Sequence, residues 1–248
     1  MHRMAARPKI VMPHRVSPAT NHDYIRPMVT LDIISDPICP WCYIGKARLD
    51  QAIAETGIDP FDVSWRIFQL NPAMPPGGMD RRQYLEAKFG GPDGAERVYS
   101  MVRQIAAETR LELDFDKIKR TPNTFDAHRL IRWAKATGNQ AAVVQQLFHR
   151  YFENGEDISD HSILLDVADA AGMERPVVAR LLAGDADRDA LNEEEETARN
   201  MGVNGVPCFI IGGRYVLNGA QDVATWKKVI AEIGEALAKQ TAPVEPQP

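Results

Sequence analysis

The stretch "SDPICPWCYIGK", Ser35 to Lys46, sits where an apolar run gives way to a helical pattern, and it carries Cys39 and Cys42 separated only by Pro40 and Trp41. Upstream, "VTLDIISD" (Val29 to Asp36) reads as a strand ending in turn-forming residues. Downstream, "YIGKARLDQAIAETG" reads as a helix stopped by Gly57, with Leu49 and Ile53 one turn apart on a single face. "FDVSWRIFQL" follows as a second strand in which Val63, Trp65 and Ile67 alternate with polar neighbours. Strand, helix, strand in this order implies a parallel pair.

From Asn71 to about Gly202 the period is helical throughout. "NPAMPPGG" is a loop by composition, and "DRRQYLEAKFG" carries Asp80 as N-cap, Gln83 three residues on, and Gly90 as its stop. Further helices are expected in "PDGAERVYSMVRQIAAETR", "TFDAHRLIRWAKATG", "QAAVVQQLFHRYFENG", "DHSILLDVADAAG" and "ERPVVARLLAG", each short one stopped by a left-handed glycine. "DALNEEEETARNMG" is a polar helix whose run of glutamates reads as a solvated face. Strands then return in "GVPCFIIGGRYVLNGAQ": Pro207 to Ile211 and Arg214 to Leu217, joined by the two-residue Gly212-Gly213 turn. In the closing helix Val223, Trp226, Val229, Ile230, Ile233 and Leu237 form one apolar stripe.

The order is β-α-β, a helical block, then β-β-α. Neither end could bury both faces of its sheet alone, so one α/β domain interrupted by helices is expected. Its halves are residues 28–70 and 203–240, the helical insertion 71–202. The proline-rich residues 1–27 are expected to be a disordered leader without the apolar core of a secretory signal, and 241–248 a disordered tail.

The chain has 248 residues, 44% hydrophobic and 25% charged, with a net charge of -5. Those values suit a packed soluble protein and argue against nucleic-acid partners. No apolar run is long enough to span a membrane; with no secretory signal expected, a cytoplasmic location is expected, where a permanent structural disulfide would be out of place. Three cysteines do not make a disulfide scaffold. A structural zinc site needs four ligands, whereas beyond the pair stand only Cys208 and the scattered His128, His149 and His161; no metal is expected. An inert pair of buried thiols is the plain alternative.

A redox pair has a mechanism. Cys39 falls at the strand-to-helix junction, where free N–H groups and the positive end of the helix dipole stabilise a thiolate. Cys42 lies one turn further in, within bonding reach and less exposed. Cys39 would attack a substrate sulfur to give a mixed disulfide and Cys42 would resolve it. Pro40 fits the first helical turn, where its missing N–H is harmless, and Trp41 covers the approach with a ring that does not ionise. In "GVPCF", the Val206-Pro207 bond on its own would be expected trans.

With "SDPICPWCYIGKARL", "FQLNP", "NTFDAHRL" and "GVNGVPCFIIGGRYVLNGAQ" in this order, the chain from Val29 to about Lys239 resembles the DsbA family, in particular its FrnE-type branch. The resemblance implies a thioredoxin fold with a large all-helical insertion, and a thiol–disulfide oxidoreductase whose redox-active disulfide is Cys39–Cys42. It implies that Pro207 is a cis-proline packed beside the pair, with the Val206 backbone pairing to an extended substrate. Asn123, His128 and Gln221 become candidate substrate-binding residues; a helix cap and a surface histidine are the plain readings of the first two. Strongly oxidising relatives carry histidine where Trp41 stands, so reduction or isomerisation is expected rather than strong oxidation. No bound cofactor is expected. Glutathione is a candidate co-substrate, proteins or small molecules are candidate disulfide substrates, and a homodimer is a candidate assembly. Cys208 reads as a packing residue, with a third reactive thiol as the alternative.

Two rivals remain. Kappa-class glutathione transferases and 2-hydroxychromene-2-carboxylate isomerases also insert helices into a thioredoxin fold, but activate glutathione with a serine where this chain has Cys39. A non-catalytic binding module or holdase would have no use for an intact C-P-W-C.

Overall fold

The computed structural model describes residues 28–241; the leader expected over 1–27 and the tail beyond Thr241 lie outside them. Strand β1 (Val29–Ser35) runs parallel to β2 (Phe61–Ile67) with Ile33 opposite Trp65, and α1 (Pro40–Thr56) crosses between them. Strand β5 (Cys208–Ile211) pairs antiparallel with β1, and β6 (Tyr215–Asn218) closes the sheet, giving the order β2-β1-β5-β6. Two chain segments separated by the insertion therefore share one sheet. The fold is α/β, a thioredoxin-type β-α-β … β-β-α with a large helical insertion.

Side-chain alternation explains why the sheet is covered on both faces. Leu31, Ile33, Phe209 and Ile211 belong to the main core with Ile44 and Leu49 of α1 and Trp226 and Ile230 of α9 (Val223–Thr241). Trp226 meets Phe209 edge-on, with ring centroids 4.9 Å apart. Ile34, Phe68 and Cys208 form a separate cluster with Ala198 of α8 (Arg188–Asn200). Cys208 is a buried packing residue there, in a cluster that does not contain Cys39 or Cys42.

The insertion comprises α2 (Arg81–Phe89), α3 (Pro92–Glu108), α4 (Phe125–Ala136), α5 (Gln140–Phe152), α6 (His161–Ala170), α7 (Arg175–Ala183) and α8. Asp80 caps α2 as expected, its carboxylate accepting the Gln83 N–H at 3.1 Å. The insertion is keyed to the sheet by side chains. Tyr43 of α1 stacks on Phe148 of α5, centroids 4.9 Å apart. Gln140 accepts the Trp65 N–H at 2.8 Å and donates to the Trp65 carbonyl, satisfying backbone on the edge strand β2.

Four expectations need correction. The insertion is not wholly helical: β3 (Met79–Asp80) pairs antiparallel with β4 (Arg120–Thr121), tying the loop after the sheet to the entry of α4. The hairpin loop has three residues, since Ile211 pairs with Tyr215, so Arg214 belongs to the turn and β6 shifts by one. Helix α7 ends at Gly184 in extended backbone (φ -114), not a left-handed stop, because the chain turns straight into a short loop before α8. The glutamate run is not uniformly solvated. Glu195 is buried and accepts the Gln69 N–H at 2.8 Å, while Glu194 pairs with Arg132 and Arg66. Helix α8 packs against the end of β2, which turns one face of a polar sequence inward.

Candidate active site

Cys39 is the N-cap of α1 in extended conformation (φ -90, ψ 111), with Pro40 opening the helix. Its N–H donates to the Asp36 carbonyl, and its own carbonyl accepts from Cys42 N–H at 3.0 Å and, more weakly, from Tyr43 N–H at 3.3 Å. Both thiols are free and buried, Cys39 at 3% exposure and Cys42 at 1%. The Cys39 Sγ donates to the Val206 carbonyl oxygen at 3.6 Å, a contact across 167 residues of sequence. The Val206–Pro207 bond is cis, against the expectation from the bond alone. Pro207 is buried, whereas Val206, Pro40 and Trp41 are partly exposed and supply the accessible surface around the sulfur.

What lets the two segments meet is the bare Gly45. A Cβ there would stand 3.2 Å from Pro207 Cγ and 3.3 Å from Phe209 Cζ. The Pro207 carbonyl accepts from Gly219 N–H at 2.8 Å, and Arg48 of α1 donates to the Ala220 carbonyl at 2.9 Å, so the turn after β6 buttresses the same junction.

Burial pushes the Cys42 thiol well up from its ordinary value, and the neighbouring Cys39 sulfur pushes the same way. Cys42 is therefore held as a thiol.

Among the other expected site residues, Asn123 organises a loop: its Nδ2 donates to the Met74 carbonyl at 2.6 Å and its Oδ1 accepts the Phe125 N–H at 2.9 Å. It also lines a cavity of about 290 Å³ with Gln69, Pro72, Pro76 and Arg188, and neither cysteine lines that cavity. Gln221 bonds only locally, donating to the Asn218 carbonyl. His128 is neither a surface residue nor open to a substrate: it is 2% exposed, because it lies on the inward face of α4 with Ala127, Ile131 and Ala134. Burial drives its imidazole down to about 3, so the ring is neutral. Its Nε2 has no hydrogen-bond partner and faces Asp36 Oδ1 at 3.9 Å.

Asp36 escaped the sequence reading. A carboxylate before a proline reads as a turn residue, yet Asp36 is fully buried at the end of β1. Its Oδ2 accepts the Leu70 N–H at 2.7 Å and its Oδ1 the Ile38 N–H at 3.3 Å. Burial, only partly offset by these bonds, raises its carboxyl to about 7. A detectable signal lay in "FDAHR": His128 falls in an apolar stripe, and an inward polar residue there demands a polar neighbour.

Among the described residues, no group of three or more His, Cys, Asp or Glu could hold a metal ion, and no helix is long and apolar enough to cross a membrane.

Comparison with known proteins places this geometry. The uncharacterized protein YwbO of Bacillus subtilis is 24% identical over 212 residues, covering 82% of this chain and 96% of that protein. A probable DsbA oxidoreductase of Streptomyces coelicolor superposes with a TM-score of 0.75 at 28% identity, covering 88% of this chain and 94% of the other. The cytosolic disulfide reductase DsbM of Pseudomonas aeruginosa, solved with GSH, shares the fold at a TM-score of 0.56 and 20% identity, covering 85% and 98%. Residues 30–231 match the model of the DSBA-like thioredoxin domain, and the chain belongs to that family of thioredoxin-fold oxidoreductases.

Proposed function

We propose that the chain is a thiol–disulfide oxidoreductase working through Cys39 and Cys42, in the reducing or isomerising direction. The Cys39 thiolate attacks one sulfur of a substrate disulfide, forming a mixed disulfide and releasing the other sulfur as a thiolate. Cys42 then attacks Cys39 Sγ, which frees the reduced substrate and leaves Cys39–Cys42 oxidised. Two equivalents of glutathione would return the pair to the dithiol, becoming glutathione disulfide; DsbM, a reductase of the same fold solved with GSH, supports that choice of reductant.

The observation that carries the reading is the 3.6 Å approach of Cys39 Sγ to the Val206 carbonyl. It gives the nucleophile and a stretch of partly exposed backbone one common surface, on which an extended polypeptide could lie while its sulfur is attacked. The direction rests on Trp41: an uncharged ring beside the pair gives a thiolate no added stabilisation, so the dithiol is not favoured as in a strong oxidant.

The test is glutathione-dependent reduction of insulin disulfides by the wild type, Cys39→Ala and Cys42→Ala. Turnover in the wild type, loss in Cys39→Ala, and a stable mixed disulfide recovered with Cys42→Ala are expected. Undiminished activity in Cys39→Ala would sink the proposal.

A further inference from the structure

The cavity of about 290 Å³ lined from the loop after β2 and from the starts of α4 and α8 has no part in the exchange chemistry above. Gln69 lines it and is only 5% exposed. The Gln69 backbone is spent, its N–H on Glu195 and its carbonyl on Arg199, but its carboxamide has no hydrogen-bond partner among the described residues. A buried amide without partners is costly. What occupies the cavity has to supply them.

The charged lining decides the sign of the occupant. Asp126 is saturated: its Oδ1 accepts from Arg129 Nη1 at 2.9 Å and from Arg188 Nη2 at 3.2 Å, and its Oδ2 meets His161 Nε2 at 2.8 Å. Arg188 is not. Its guanidinium rests over the Phe125 ring at 5.2 Å, and its Nη1 has no partner among the described residues. Its Nε stands 3.1 Å from the carboxylate of Asp185 without a hydrogen bond, and that carboxylate is 95% exposed, so the pairing is weak. Two guanidiniums therefore share one buried carboxylate, and a held cation is left with a donor to spare.

A carboxylate matches the spare guanidinium nitrogen, and a carboxamide matches a main-chain amide, being donor and acceptor at once. Pro72 and Pro76 add apolar wall for the methylenes of a side chain. The cavity also adjoins the sulfur. Gln69 precedes Leu70, Leu70 and Val206 pack against one cluster, and the Val206 carbonyl is the partner of Cys39 Sγ. We propose, building on the exchange reaction above, that this cavity is a specificity subsite for an acidic side chain of an extended polypeptide substrate. The carboxylate sits on Arg188 and the flanking peptide group on the Gln69 carboxamide, while a cysteine of the same polypeptide lies at Cys39.

The probes are short peptides whose single cysteine is capped as a mixed disulfide with thionitrobenzoate, prepared from dithionitrobenzoate disulfide (DTNB). Attack by Cys39 on the peptide sulfur releases thionitrobenzoate as a coloured thiolate, and Cys42 then frees the peptide thiol, leaving the pair oxidised. One peptide series carries Glu at successive positions away from the cysteine; a matched series carries Gln. In the wild type, Glu at one or more of these positions should lower the half-saturating concentration about tenfold relative to Gln, with the same rate at saturation. Arg188→Gln should bring that ratio to one, and Arg188→Lys should keep part of it. Gln69→Leu, which removes an amide that bonds nothing in the protein, should raise half-saturation for both series alike. The ratio is taken within each protein, so a partial loss of folding cancels. A wild-type ratio of one at every position, or a full ratio surviving in Arg188→Gln, overturns the inference. Should Arg188→Gln not fold, Gln69→Leu decides, and unaltered half-saturation there overturns it. Slower reduction of the oxidised pair by glutathione in Arg188→Gln, without any peptide preference in the wild type, would give the cavity to the reductant and overturn it as well. A wild type that releases no thionitrobenzoate even from DTNB would overturn the exchange reaction itself, and this inference with it.

Discussion

Gly45 and Pro207 are packed so closely that one methyl group would crowd them: a Cβ on Gly45 lies 3.2 Å from Pro207 Cγ, in a direction also closed by Phe209 Cζ at 3.3 Å. Both neighbours are rings in a buried seam and have little room to retreat. A Gly45→Ala change gains about 1 kcal/mol of helix propensity, which offsets the crowding. Gly45→Val adds branched bulk without that compensation, and should lower unfolding free energy by about 2 kcal/mol in a denaturant titration. It should also slow the reaction of Cys39 with DTNB, because α1 and Val206 are forced apart. A Gly45→Val variant with wild-type stability and reactivity would show that the seam is loose.

Arg129 is the largest cation fully buried in the described structure, and it makes no contact with the cysteines. Its guanidinium donates to the carbonyls of Ala186, Leu181 and Gly184 and to the Asp126 carboxylate, and stacks over Trp133 at 4.9 Å. It therefore pins the α7–α8 connection onto α4. Arg129→Met fills the volume but strands three carbonyls and leaves Asp126 with only His161 and Arg188, so a loss of about 3–5 kcal/mol is expected in equilibrium unfolding. Arg129→Lys should recover only part of it, since an ammonium cannot span the same acceptors. Reaction of Cys39 in the surviving folded fraction should be unchanged, which separates a clamp from a site residue.

The thioredoxin-type halves were legible because their signals are local. The apolar run of Val29–Ser35, the alternation in Phe61–Ile67, the C-P-W-C at a helix start, and glycines before a short strand each reveal themselves within a few residues. The stripe in α9 worked for the same reason. Asp36, His128 and Glu195 stayed hidden because their burial is decided by partners far along the chain: Leu70 and Thr124 for Asp36, Phe68 for His128, Gln69 for Glu195. An aspartate before proline or a glutamate in a run of four has ordinary surface chemistry until another helix covers it. The opposite error, expecting His128 to line a substrate cleft, came from treating a motif as a surface when this residue is buried on the inward face of α4.

Trp41 allows the direction of exchange to be tested by one substitution. It is partly exposed at the second position of α1, between the two cysteines in sequence. Trp41→His places an ionisable donor where an uncharged ring stood, which stabilises the thiolate and hence the dithiol. Equilibration with glutathione buffers should then show a reduction potential higher by about 30 mV or more, equivalent to about 1.4 kcal/mol in favour of the reduced form. Insulin reduction should weaken correspondingly. A potential unchanged by Trp41→His would mean that the residue between the cysteines does not set the direction here.

The buried Asp36–His128 pair makes its own prediction for stability against pH. Asp36 holds its proton up to about 7 when folded but releases it at 3.8 when unfolded. Between those values the folded state binds the extra proton, so this group's contribution is fully present at acid pH and is lost as pH rises toward 7. His128 runs the other way: its folded value of about 3 lies below 6.5, the unfolded state takes the extra proton, and stability is lost as pH falls below 6.5. From about pH 4 to 6.5 the two slopes oppose each other, each about 1.4 kcal/mol per pH unit, and largely cancel. Removing one partner exposes the other. Relative to the wild type, His128→Phe should become progressively less stable as pH rises from 4 to 7. Asp36→Asn should become progressively more stable over the same range until about 6.5. Urea titrations at several pH values measure both differences, and parallel curves for wild type and both variants would mean that neither group is held in the protonation state that its burial demands.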